Sequence, residues 1–154
     1  MDISEFILKG QIENLKVGAN ISNYKVKLEE VTCEEGDIPS LYELGDFQIT
    51  CLKNIVIGIL YDFEYDTEKK YNLKLASKNF KVGFNTKLND VETFLKEVSL
   101  KYELLNSQND DYKEILLLES KILLRFVNSD YTNLCKAYIF DFELYERIKK
   151  NNQS

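Results

Sequence analysis

The chain of 154 residues contains no histidine. That removes the commonest general base near neutral pH and the commonest neutral metal ligand. Ser-His and Cys-His nucleophilic pairs and histidine-ligated metal centres are excluded with it. Cysteine is scarce. Cys33, Cys51 and Cys135 are an odd number without the paired spacing of a metal site. They read as buried, free thiols in a chain that needs no disulfide framework. No apolar run approaches the ~20 residues of a spanning helix. The first residues, Met-Asp-Ile-Ser-Glu-Phe-Ile-Leu-Lys-Gly, place an acid where a signal peptide carries bases. The expectation is a cytoplasmic protein with no membrane partner. Gly18, Gly36, Gly45, Gly58 and Gly83 stand isolated, so neither phosphate-binding fingerprint is present. Gly18 and Gly83 read as turn residues. The single proline is Pro39, and no Pro/Gly/Ser linker divides the chain, which predicts one domain over 1–154.

Charge is abundant but unevenly placed. Residues 1–77 hold 14 acids and 8 bases, and residues 78–154 hold 12 of each. Between Glu29 and Glu68 there are 11 acids against one base, Lys53, a net −10. Such a face repels a nucleic-acid backbone and an anionic membrane. No nucleic-acid partner is expected.

The stretch that organises the chain is Phe80 to Val98. Lys81-Val82-Gly83-Phe84-Asn85 leads into Leu88, Val91, Leu95 and Val98, the apolar stripe of a helix capped by Asn85 or Thr86. A weaker copy lies 65 residues earlier, where Lys16-Val17-Gly18-Ala19-Asn20 precedes Ile21, Tyr24, Leu28 and Val31 at the same helical spacing. The far ends match too: Ile59-Leu60-Tyr61-Asp62-Phe63 aligns with Tyr138-Ile139-Phe140-Asp141-Phe142. Period-two alternation predicts strands over Phe47–Leu52 and Tyr71–Leu75. Ile55–Phe63 reads as a central strand, reached through a two-residue turn at Lys53-Asn54. Further strands are expected at Tyr102–Leu105, Ile115–Leu118, Ile122–Phe126 and Leu134–Phe142. Short helices are expected near each end, and Cys33–Ser40 reads as a loop. The predicted class is α+β, an antiparallel sheet with helices on one side. It is built from two helix-plus-β-hairpin repeats, about 15–75 and 80–142.

No residue set here forms a chemical site, so the protein reads as a non-enzyme without cofactor or metal. Asp62, Glu64, Asp66 and Glu68 alternate after a strand and have the chemistry for a hard cation. They lack the glycine and terminal glutamate of the helix-loop-helix calcium loop. The candidate partner surface is acidic with aromatics interleaved: Glu34, Glu35 and Asp37 in one loop, Tyr42 nearby, and Asp62, Glu64, Tyr65 and Asp66 in another. Aromatic anchors in acidic surroundings suit a basic protein.

The two copies, with Lys-Val-Gly-x-Asn at one end and Ile-Leu-Tyr-Asp-Phe at the other, resemble the small acidic immunity proteins of bacterial polymorphic and contact-dependent toxin systems. The tandem of helix and hairpin is also similar to the β-lactamase-inhibitor-protein fold. These motifs are set by fold and assign no functional residue. The resemblance implies stoichiometric inhibition of a cognate toxin domain, often a nuclease. Two other readings stay open: a small-molecule-binding or adaptor module, and an enzyme working with carboxylates alone.

Overall fold

The computed structural model describes residues 2–24 and 28–152. In chain order the elements are α1 (Ser4–Lys9), β1 (Gln11–Ile12), β2 (Leu15–Lys16), a 3₁₀ turn (Ile21–Asn23), β3 (Glu29–Thr32), β4 (Ser40–Leu44), β5 (Phe47–Leu52), β6 (Ile55–Asp62), β7 (Lys70–Leu75), β8 (Lys78–Gly83), α2 (Leu88–Glu97), β9 (Tyr102–Asn106), β10 (Tyr112–Leu117), β11 (Leu123–Val127), a second 3₁₀ turn (Ser129–Tyr131), β12 (Asn133–Phe140) and α3 (Phe142–Asn152). The chain is mixed α and β, with its strands paired antiparallel. Tertiary contacts divide it into two compact units. One joins Met1–Gly10 to Asp62–Ala137, the other Gln11–Tyr61 to Tyr138–Ser154.

The first, the α2 unit, begins with α1 against β7. The Ile3 amide donates to the Asn72 carbonyl at 2.9 Å, and the Lys74 amide donates to Ser4 Oγ at 2.7 Å. Phe6 and Ile7 are buried beneath. β7 and β8 form a hairpin about Ala76 and Ser77, whose φ values of 48° and 64° mark a two-residue primed turn. Helix α2 buries Leu88, Val91, Phe94 and Leu95, as the stripe predicts, and Phe94 stacks on Phe80 at 4.8 Å. Its first turn differs from the expectation. Lys87 occupies the cap position without a side-chain bond, while Thr86 Oγ1 accepts the Gly83 amide at 2.8 Å. Gly83 opens the expected turn, its carbonyl accepting the Thr86 amide at 3.0 Å, but without a positive φ. A Cβ there would lie 2.8 Å from the Lys69 carbonyl oxygen, so the residue permits a close backbone approach. The remaining strands run in the order β12-β11-β10-β9.

In the second, the α3 unit, β1 and β2 turn about Glu13 and Asn14, with φ of 49° and 71°. Gly18 does sit at positive φ, +92°, and donates its amide to Val56 O at 2.8 Å. Asn20 Oδ1 accepts the Ser22 amide and starts the 3₁₀ turn. There the helix expected through Val31 stops. Lys25, Val26 and Lys27 lie outside the described residues, and Glu29–Thr32 is strand β3. Asn23 and Tyr24 favour helix weakly. Val31, on the expected stripe, is 56% exposed, so no burial offsets that weakness. Among the described residues the first repeat therefore has only this 3₁₀ turn where the second has α2, and its bound at residue 75 falls beside the β7–β8 turn.

Strands β3-β4-β5-β6 follow one another in space as in sequence. Lys53 and Asn54, at φ 52° and 65°, make the predicted hairpin turn. β5 alternates, burying Phe47, Ile49 and Cys51. β6 buries a continuous run from Val56 to Ile59. The Asp141 amide donates to Ile57 O at 2.8 Å, tying the end of β12 to β6. Asp141 Oδ1 then accepts the Leu144 amide at 2.9 Å and opens α3.

Candidate partner-binding surface

The acids singled out from sequence divide between the units and differ in what they do. In the α3 unit, Cys33–Ser40 is the tight connection of β3 to β4. Glu35 and Ile38 exchange backbone hydrogen bonds of 3.1 and 2.9 Å across Gly36, at φ +59°. Glu34 faces inward along the chain. Its Oε1 accepts the Lys53 amide at 2.6 Å and its Oε2 lies 3.0 Å from Lys53 Nζ, so it pins the β5–β6 turn. Glu35 and Asp37 project their side chains at the exposed tip. Tyr42 is half-buried on β4 opposite Ile49. Burial first, then the Glu30 charge, pushes its phenol above the ordinary value, against a lowering hydrogen bond from Ser40. It packs rather than presents.

In the α2 unit, Asp62, Glu64, Tyr65 and Asp66 share the loop after β6. Asp62 Oδ1 accepts the Glu64 amide at 2.9 Å, and Asp66 Oδ1 accepts the Glu68 amide at 3.2 Å. These two aspartates shape the loop. Glu64 and Tyr65 are its presented side chains, Tyr65 at 93% exposure. Among the described residues no group of three metal-ligating side chains converges.

The aromatic patch on the α3 unit was missed in the sequence. Phe140, Phe142 and Tyr145 cluster with ring centroids 6.0 to 6.4 Å apart. The Tyr145 hydroxyl donates to the Asp37 carbonyl at 3.0 Å, fastening α3 to the acidic turn. Phe142 is 62% exposed, Phe140 43%, and Ile38, next to Asp37, 63%. Asp37 is thus tied to the aromatic cluster through Tyr145. The alignment of Asp62-Phe63 with Asp141-Phe142 gave no signal for it: the strand expected through Phe142 ends at Phe140, and Phe63 is buried and edge-packed on Tyr71 at 6.0 Å. Asp62 opens a loop, whereas Asp141 caps a helix and turns Phe142 outward.

The three cysteines are free. Cys51 and Cys135 are buried as expected. Burial pushes the Cys51 thiol up to about 12, with Glu34 adding to it, and also raises Cys135. Cys33 departs from expectation by being exposed. An open groove of about 470 Å³ runs beside α2, lined by Phe80, Phe94, Asp90 and Glu97. Its acids are exposed, and Glu97 pairs with Lys78 at 3.3 Å. No helix among the described residues is long and apolar enough to cross a membrane. Known protein families, curated proteins and solved structures contain no match to this chain.

Proposed function

We propose that the protein is an immunity protein: a stoichiometric, non-catalytic inhibitor that occludes a basic toxin domain, such as a nuclease, in the cytoplasm of the cell that makes both. The observation that supports this reading is the exposed aromatic cluster of Phe140 and Phe142, joined through Tyr145 to the acidic turn that carries Glu35, Asp37 and the exposed Ile38. Contiguous exposed apolar surface rimmed by charge marks protein-docking sites. Aromatic residues desolvated at such a centre carry most of the binding energy, and the acids of the adjoining Glu35–Asp37 turn favour a basic partner and speed encounter. Inhibition by coverage needs no reacting group. The unit about the patch also fits a divergent repeat. Hairpin, short helical turn and four strands recur in that order, with a 3₁₀ turn in the first copy where the second has α2.

The test is binding kinetics against the toxin domain encoded beside this gene, together with protection of cells producing it. Phe142→Ala combined with Ile38→Ala should raise the off-rate. A loss of ~2 kcal/mol or more corresponds to roughly 30-fold in affinity. Unaltered affinity and unaltered protection would remove the patch as the docking surface.

A further inference from the structure

Strand β3, which ends the run β3-β4-β5-β6 of the α3 unit, and strand β9, which ends the run β12-β11-β10-β9, are guarded differently. An end strand presents unpaired backbone groups that template further pairing, and native proteins blunt it with charge, bulges or twist. β3 is blunted. It carries Glu29 and Glu30, and its register on β4 shifts between Glu30 and Thr32, the mark of a bulge. β9 is not. Its pairing with β10 runs without a shift from Tyr102↔Leu117 to Asn106↔Lys113. Two adjacent leucines, Leu104 and Leu105, are 41% and 38% exposed, and Glu103 is its one charge.

The direction of the free groups follows from the ladder ends. The Ser107 amide donates to Tyr112 O, and the Leu118 amide donates to Lys101 O, both at 3.2 Å. Odd-numbered residues of β9 therefore bond to β10. The N–H and C=O of Tyr102, Leu104 and Asn106 point out from the sheet.

We propose that β9 is a pairing edge that joins two copies of this chain about a two-fold axis through Leu104. Antiparallel pairing on that axis sets Leu104 opposite Leu104 and Tyr102 opposite Asn106 of the second copy. All three outward residues of each strand then bond, giving about six hydrogen bonds between copies. Between them Glu103 falls opposite Leu105, and Lys101 opposite Ser107, so no like charges meet directly. An axis through Tyr102 or Asn106 would leave outward groups unpaired. Charge favours the same choice. A molecule of net −6 is repelled by its copy wherever the Glu29–Glu68 acids face each other, whereas β9 lies in the electroneutral half of the sequence. The isologous contact closes on itself, so pairing through β9 stops at two copies. The pairing is independent of the inhibitor reading, since it involves neither the toxin nor the aromatic patch.

A five-residue ladder makes a small contact, so dissociation in the micromolar range is expected. Sedimentation of the protein alone, from about 1 to 500 µM, should show the mass rising from 18.0 kDa toward twice that value. Amide exchange at Tyr102, Leu104 and Asn106 should slow over the same range. Leu104→Pro removes only an outward donor and should hold the protein monomeric throughout. Leu104→Lys places two ammonium groups at the axis. It should do the same with an unchanged melting curve, and it decides the matter if the proline variant folds poorly. A wild-type protein that stays monomeric at 500 µM overturns the proposal. So does a dimer that both variants leave intact.

Discussion

At the scale of single residues, identical amino acids are held for different reasons. Gly18 stands in open space at φ +92°, so Gly18→Ala meets backbone strain alone. Gly83 has ordinary backbone angles but faces the Lys69 carbonyl, so Gly83→Ala must move backbone and should cost ~1–3 kcal/mol in a denaturant titration. An unchanged midpoint would show that β7 and β8 can part there without loss. The cysteines separate in the same way. Cys33 is the exposed thiol, and a hydrogen bond with Glu30, reinforced by that carboxylate's charge, raises its pKa. Only the thiolate reacts. Cys33 should therefore label faster than Cys51 or Cys135 in the native protein, yet more slowly at pH 8 than a free cysteine, with its rate still climbing at higher pH. Glu30→Gln removes the charge that opposes ionisation, so the pKa falls and labelling at pH 8 quickens. Equal labelling of all three thiols under native conditions would contradict their burial.

At the scale of elements, a strong periodic signal and burial agree where the sequence was readable. α2 is the clearest case. Leu95 is fully buried at the centre of its stripe, and Leu95→Ala should lower stability by ~2–5 kcal/mol, read as a shift in chemical denaturation midpoint. No shift would mean that the face collapses around the loss. The alternation of β5, the β-branched run of β6 and the Lys53-Asn54 turn were legible for the same reason: each residue's preference matches its place. The stripe at Ile21, Tyr24, Leu28 and Val31 was not a true signal. Four apolar positions satisfy helical spacing by chance when weak helix formers separate them, and pairing with β4 prevails. Ser40–Leu44 carried no strand pattern, because its one buried residue is the polar Ser40 and the other four are half-buried or exposed. Of the partner surface, the acidic turn was visible as composition. The aromatic cluster was not, because Tyr145, packed with Phe140 and Phe142, meets Asp37 only through the fold.

At the scale of the molecule, the charge asymmetry has a thermodynamic consequence. Within Glu29–Glu68 the one base, Lys53, pairs with Glu34, and most of the other acids are exposed without a cation in the same stretch. Crowding like charges destabilises the folded state through self-repulsion. The acids fall in both units, Glu29–Asp46 in one and Asp62–Glu68 in the other, so the repulsion acts within each. Repulsion of this kind is screened by salt. The Debye length falls from ~30 Å at 0.01 M to ~8 Å at 0.15 M. Melting followed in sodium chloride, a salt with little exclusion effect, should therefore rise by about 2–5 °C across that interval, a gain of roughly 1 kcal/mol in a domain of this size. Glu35→Gln with Asp37→Asn neutralises the tip without touching the pinning carboxylate of Glu34. That variant should melt higher than wild type at 0.01 M and gain less from salt, while associating more slowly with a basic partner. Neutralising Glu92, on α2 in the electroneutral half, should do neither. A melting temperature that falls as salt is added would mean that screened ion pairs outweigh the repulsion. The acids would then be held by stabilising ion pairs, and their excess would no longer argue for a partner.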